Sequence, residues 1–425
     1  MSKALEVDQA QVDELFQIDN ATTHAGGVVE DPWPIWADLL ARGPVHKGTL
    51  AGCMGMDPSL NGGSRYEPDR AYYSVFSFAA VSDVFIRKDD FGSGAYIDTG
   101  IAHEFGDTIL SMDGLRHRRY RDVIQQYFQP QFAADWWHGK VISGLADGLI
   151  ESFASERSVD LNARFFAPLP LHTVTTGFGM SFDQGLEFRK HMLESLHATD
   201  RDAQLAAKEA ASRVLEQVIR ERQAEPRDDL ISHLAHTDLE EEDGSHRKLT
   251  VEEIAAFCRL ILFAGGETTW RQTGNFLFAL LSHPEQLAAV IADRSLLGPA
   301  ILESVRWQPD PMFPRKVIRD TVLQGVELPA GAHLHVCIGA ANRDPARWDN
   351  PHAFDIHRPF QRSLAFAAGA HSCLGQHVAR TEIATAIGAL LDRFPDIRWD
   401  PDYPPAKISG TVVQRGPGPL HVRLD

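Results

Sequence analysis

The stretch Phe366-Ala367-Ala368-Gly369-Ala370-His371-Ser372-Cys373-Leu374-Gly375 decides how the rest of the chain is read. It is small and turn-prone up to Cys373. Beyond it, Leu374, Val378, Ile383, Ile387, Leu390 and Leu391 recur near a 3.6-residue period, which predicts a helix from Leu374 to about Phe394. Cys373 therefore falls at a loop-to-helix junction. There the free N–H groups and the positive end of the helix dipole are expected to favour a thiolate over a thiol. Small residues ahead of it would let a large planar ligand approach the backbone. Such a thiolate is a nucleophile or a metal ligand; the plainer alternative is a buried structural cysteine.

The chain has 425 residues, 44% of them apolar, enough for a large core. No Pro/Gly/Ser linker divides it and no internal repeat is present. A net charge of −17 opposes nucleic-acid binding. Met1–Ile18 is polar and acidic, so no secretory signal is read there. No window approaches the ~18 uninterrupted apolar residues of a membrane span. Cys53, Cys258, Cys337 and Cys373 lie far apart and form no C-x-x-C pair, which argues against a disulfide framework or zinc site and fits a reducing, cytoplasmic setting.

Three further segments stand out. His117 and Arg121 are four apart and share a helical face, a spacing that suits two carboxylate arms; a solvated basic helix is the alternative. Thr250-Val251-Glu252-Glu253 reads as a capping box, and periodicity continues to Ser282, a helix of about 48 Å. Its middle, Ala264-Gly265-Gly266-Glu267-Thr268-Thr269, breaks helical preference: each glycine costs roughly 1 kcal/mol relative to Ala, and a buried carboxylate costs more. Glu303 and Arg306 pair across one helical turn.

Together these segments resemble the cytochrome P450 family. Phe366, Gly369, His371, Cys373 and Gly375 match its signature Phe-x-x-Gly-x-His/Arg-x-Cys-x-Gly, with Ala367 where the family most often has Gly. The resemblance implies a mainly α fold with a smaller β-rich part and haem between the long central helix and the helix after the cysteine loop. It covers residues 31–425 as a single domain, with 1–30 loosely ordered.

The family's roles map onto this chain residue by residue. Cys373 would be the axial ligand of the haem b iron. His117, Arg121, Arg315 and His371 would bind propionates, with Phe366 and Gly265 also against the cofactor. Glu267 and Thr268 would guide protons to bound dioxygen. Ala264, Ile109, Leu110, Met312, Phe313, Thr411 and Val412 would line the substrate pocket. Glu303, Arg306 and Arg358 would form a buried structural network. Residues Phe91–Leu110 would be a mobile roof over the pocket, and Leu186–His197 and Ala203–Gln223 its lid helices.

The implied activity is insertion of one oxygen atom from O2 into a hydrophobic small molecule. Electrons would come from NAD(P)H through a ferredoxin reductase and a ferredoxin docked near Cys373, where Arg116, Arg118 and Arg119 form a basic patch. The implied protein is a soluble bacterial-type monomer with no membrane contact. A peroxide-using peroxygenase of the same fold and a non-catalytic haem sensor are the alternatives, both disfavoured by Glu267-Thr268. Asp238 to Lys248 reads as an acidic exposed loop, and two features depart from expectation: a long loop from Leu50 to Tyr72 and the bulky Trp270.

Overall fold

Thr250 starts the element that everything else packs around. Its hydroxyl accepts the N–H of Glu253, and the Glu253 carboxylate accepts the N–H of Thr250 at 2.7 Å, a reciprocal cap. From it a helix runs unbroken over Val251–Ser282, through both glycines. Tertiary packing carries it past Gly265-Gly266, as expected for a helix buried along most of its length. The structure, a computed structural model, describes residues 27–60, 66–99, 102, 105–198, 200–310 and 312–425. Residues 1–26 of the expected loosely ordered segment lie outside the described residues.

Helices Pro168–Gly177, Arg201–Ala224, Leu297–Trp307 and Gln376–Arg393 pack on the central helix. The last starts two residues later than the periodicity suggests, because Leu374 and Gly375 still belong to the turn. A five-stranded sheet stands to one side, in the order Val45–Lys47, Tyr72–Val75, His333–Cys337, Met312–Val317, Phe91–Gly92. Its middle pair is parallel, His333–Val336 beside Tyr72–Val75, and the others are antiparallel. Gln324-Gly325, at φ 49° and 83°, turns the hairpin of Thr321–Leu323 and Val326–Leu328.

Two segments read as loops are partly regular. Asp238–Lys248 is a hairpin, Asp238–Glu240 against His246–Lys248, turned at Gly244 with φ 79°. Its acidic composition hid the strand pattern. The Leu50–Tyr72 excursion opens with a short helix, Leu50–Cys53, capped by Thr49. Trp270 is fully buried in the largest core cluster, and the Arg271 guanidinium lies 4.3 Å from its ring centroid. Its bulk fills the interior and provides an apolar plate for that cation.

Candidate functional site

The cysteine loop closes on itself: the Cys373 N–H donates to the Phe366 carbonyl at 2.9 Å. Gly369 sits at φ 71°, where a Cβ would come within 2.4 Å of the Phe85 carbonyl oxygen, so no other residue fits. Ala367 also adopts positive φ, 54°. The Cys373 side chain is exposed on one side, while protein packs around the rest of it. Burial pushes the thiol pKa up; N–H groups of Gly375 and Gln376 and the Arg121 charge offset this only in part. The helix end supplies donors, but desolvation wins until a cation meets the sulfur.

Beside this loop lie the basic residues. Arg121 donates from Nη2 to the Ser372 carbonyl at 2.7 Å and from Nε to Gln125 at 2.8 Å. The His117 and His371 rings touch at a tilt of 39°, with centroids 4.0 Å apart. His371 Nε2 is engaged by Asp113 and by Ser93 Oγ, each at 3.1 Å. Both contacts fall on Nε2 of His371, the residue expected at a propionate. His117 Nε2 is buried with no partner, and burial together with neighbouring His371 and Arg121 lowers its pKa to about 3. Arg315 is buried, donates from Nη1 to the Pro314 carbonyl at 2.8 Å, and lies near the rings of Phe85 and Tyr96. Among the described residues no carboxylate pairs with Arg121 or Arg315.

On the central helix, Ala264 and Thr268 are exposed although the turns on either side are buried. Thr268 Oγ1 donates to the Ala264 carbonyl at 2.9 Å. Gly265 faces elsewhere: a Cβ there would lie 2.9 Å from Val174 Cγ1 on helix Pro168–Gly177. Its smallness serves helix–helix contact, so the open face belongs to Ala264 and Thr268. Glu267 is buried between two arginines. Arg189 Nη2 donates to Oε2 at 2.7 Å, and Arg271 donates to Oε1 from Nε at 3.0 Å and from Nη2 at 2.7 Å. Burial raises the Glu267 pKa, but these cations outweigh it and hold the carboxyl below its ordinary value.

The expected pocket residues do not form one surface. Ile109 and Leu110 pack with Phe105 and the central-helix residues Leu260–Leu262. Met312 and Phe313 alternate across their strand: Met312 joins Val412 and Trp36, whereas Phe313 packs with Phe85, Ala367 and Ala368. Thr411 is buried and caps its own turn, accepting N–H groups of Val413 and Gln414 at 3.1 Å. Glu303 lies between Arg306, at 2.7 Å to each oxygen, and Arg358 Nε at 3.1 and 3.2 Å. Of the basic patch, Arg116 pairs with Asp107 and Arg119 with Glu242, leaving Arg118 as the most exposed of the three.

Several residues at the site were not singled out in the sequence. Arg271 could have been, since it is four residues from Glu267. Arg189, Asp113 and Tyr96 meet their partners only through tertiary folding. Asp310, near Glu267, Arg271 and Cys373, is pushed up to about 7 by burial. Glu382 is buried with Oε1 unpartnered, and burial pushes it to about 8.

This donor set fits a metal-bearing planar dianion. Among the described residues two guanidiniums lack a carboxylate partner, a buried imidazole nitrogen is orphaned, and a cysteine sulfur faces the N–H groups of Gly375 and Gln376. The fold and these residues define a helical haem-thiolate class of protein, and comparison with known proteins agrees. The family model described as Cytochrome P450 matches residues 171–295 and 288–419. Cytochrome P450 107B1 of Saccharopolyspora erythraea is 33% identical over 76% of this chain and 79% of its own length. The cytochrome P450 monooxygenase PikC of Streptomyces venezuelae is 31% identical over 87% of this chain and 85% of its own. Among solved structures, CYP109E1 of Bacillus megaterium in complex with testosterone superposes with a TM-score of 0.78 at 25% identity, covering 93% of this chain and 99% of that one. The myxobacterial CYP267B1 in complex with myristic acid gives 0.78 at 27%, covering 97% and 99%. The chain belongs to the cytochrome P450 family, in its bacterial form, and is a haem-dependent monooxygenase by membership. No helix among the described residues is long and apolar enough to cross a membrane.

Proposed function

We propose that the chain hydroxylates a hydrophobic small molecule with one oxygen atom from O2, taking electrons from a ferredoxin-type carrier, as a cytoplasmic monomer. The observation that supports this reading is Cys373, facing the N–H groups of Gly375 and Gln376 at the start of a helix that packs on the central helix, on which Ala264 and Thr268 are exposed. Haem b, when bound, supplies the iron that activates dioxygen.

The chain's own residues would do the rest. Cys373 Sγ would ligate the iron, with Gly375 and Gln376 N–H groups steadying its charge. Arg121, Arg315 and His117 Nε2 would hold the two carboxylate arms, charge-assisted at both arginines. Thr268 Oγ1 keeps its own proton on the Ala264 carbonyl, leaving its lone pairs to hold a water or oxygen donor at the open face. Glu267 would feed protons to that hydroxyl only after one arginine releases it. Phe105 and Ile109, packed in one apolar cluster, would favour a hydrophobic substrate.

The relatives support the substrate class without fixing it: a 6-deoxyerythronolide B hydroxylase of Saccharopolyspora erythraea is 30% identical over 76% of this chain. The test is spectroscopic. The reduced carbon monoxide complex of the purified protein should show the thiolate-type Soret band, and Cys373→Ala should lose it. A thiolate-type band in Cys373→Ala would refute the assignment. Turnover of a bound hydrophobe with a surrogate ferredoxin and reductase tests the electron source; turnover supported by hydrogen peroxide alone would favour a peroxygenase.

A further inference from the structure

A cavity of about 580 Å³ lies between the helix Trp33–Arg42, the short helix Ile338–Ala341 and the turn that follows it to His352. That volume falls within the ~300–1,000 Å³ of small-molecule sites. Its described lining shares no residue with the cysteine loop, the propionate candidates or the exposed face of the central helix.

One wall is aromatic. Trp33 and Trp36 meet edge to face with ring centroids 4.9 Å apart. Gly339 lets the short helix sit flush behind that wall, since a Cβ there would come within 2.5 Å of the Trp36 ring. The rest of the lining is small: Ala37 and Ala41 are exposed along the outer edge, and Ala340 is buried. Space is left beside two indoles that a flat ring could fill.

Among the described residues the lining has one cation, Arg343, and it is buried. Its Nε and Nη2 both donate to the Trp307 carbonyl, at 3.0 and 2.5 Å. The guanidinium carbon lies 3.4 Å from the Trp33 ring centroid and 5.1 Å from that of Trp307. No carboxylate among the described residues comes within ion-pair distance of it. Nη1 has no hydrogen-bond partner there either, yet it is not one of the polar atoms sealed in the interior, so its free surface faces the cavity.

The other polar groups are already engaged. Asp344 Oδ2 accepts the Phe78 N–H at 2.8 Å and Oδ1 the Ala346 N–H at 2.9 Å. Ser77 Oγ accepts the Ala80 N–H at 3.2 Å. Burial and the Arg343 and Arg306 charges lower the His352 pKa, so that ring is neutral. Burial above all, with the Arg306 charge adding to it, pushes the Arg343 pKa well below its ordinary value; Asp31 and Glu303 pull the other way without making it up. A buried cation with no counter-ion is costly, and an anion entering the cavity would supply one.

We infer that this cavity is a second small-molecule site, apart from the haem site, which takes a flat aromatic carboxylate with its ring against the Trp33–Trp36 wall and its carboxylate on Arg343. The site stands whether or not the oxygenation reading does.

The test is calorimetric titration of the full-length holoenzyme with 2-naphthoate near neutral pH, with 4-phenylimidazole present to occupy the haem pocket. 2-Naphthalenemethanol is the neutral isostere. Naphthoate should bind with 4-phenylimidazole in place and without moving the Soret band, about tenfold or more tighter than the alcohol. Arg343→Gln should bring the acid down to the affinity of the alcohol. Ala37→Phe, which fills the cavity from its exposed edge and keeps Arg343, should block both ligands. No binding of naphthoate up to about 1 mM, equal affinity for acid and alcohol, competition by 4-phenylimidazole, or undiminished binding in both variants would each overturn the proposal. Should Arg343→Gln fail to fold, Ala37→Phe and the acid–alcohol comparison decide. Absence of a thiolate-type spectrum in the wild type would sink the proposed function, and the same titrations would still decide this site.

Discussion

Ala367 carries a φ of 54°, where a Cβ crowds the following carbonyl oxygen at a cost of ~1–2 kcal/mol. Glycine would remove that cost and add back ~0.5–1 kcal/mol of unfolded-chain freedom. Ala367→Gly is therefore expected to stabilise the protein by up to about 1 kcal/mol, read as a higher urea midpoint at unchanged slope. A lower midpoint would mean that packing of the Ala367 methyl against Phe313 and its neighbours outweighs the backbone strain. At Arg315 the same scale predicts a functional loss. Its charge has no carboxylate partner among the described residues, so Arg315→Met should leave the fold intact but speed haem transfer to an acceptor apoprotein by roughly tenfold or more, the worth of a charge-assisted bond. Arg315→Lys should recover part of it. Equal transfer rates in all three would remove Arg315 from the cofactor site.

The paired Glu267 is an element-scale device, because its two arginines come from different helices. Arg271 lies one turn along the central helix, whereas Arg189 belongs to Phe182–His197. Removing Arg189 leaves Oε2 buried without a partner. Arg189→Met should cost up to about 3 kcal/mol, less than a fully broken buried pair because Arg271 still holds Oε1. Equilibrium denaturation of this variant beside Arg189→Lys measures it; a loss below ~0.5 kcal/mol would show that Oε2 finds water instead. The contrast between these two arginines also marks what the sequence could reveal. Spacings within one element were legible: the capping box at Thr250, the one-turn pairs His117/Arg121 and Glu303/Arg306, the whole cysteine loop. Contacts closed by folding were not. Nothing in the chain pairs Arg189 with Glu267, or tells that His371 would spend its Nε2 on Asp113. Strand alternation was legible in principle at Met312-Phe313, but reading both as pocket residues ignored the period of two. The acidic residues of Asp238–Lys248 masked a hairpin because β-propensity is weak against turn composition on an exposed edge.

Across the whole molecule, buried titratable groups set opposite slopes of stability with pH. His117, His335 and His172 are lowered by burial to about 3, about 3 and about 4. Each binds its proton more readily when unfolded, so stability falls as pH drops below about 6.5. Glu382 works the other way. It is buried on helix Gln376–Arg393, with Thr173 of helix Pro168–Gly177 as its nearest hydroxyl, yet neither its Oε1 nor Thr173 Oγ1 has a well-formed hydrogen bond. Burial raises it from 4.5 to about 8. The folded chain then holds a proton that the unfolded chain releases, so its contribution is full below 4.5 and is lost progressively as pH rises to about 8. Between these limits the histidine and glutamate slopes oppose each other until the histidines discharge. Above about 6.5 the raised buried acids remain, Asp310 to about 7 and Glu382 to about 8, and stability should decline toward alkaline pH. Glu382→Gln keeps the shape and the neutral charge of the buried form. It should match the wild type near pH 5 and flatten the decline between about 6.5 and 8. Urea unfolding of both proteins at three pH values across that window decides it. Parallel declines would mean that Glu382 ionises in the folded protein with little penalty, through a water that reaches both it and Thr173.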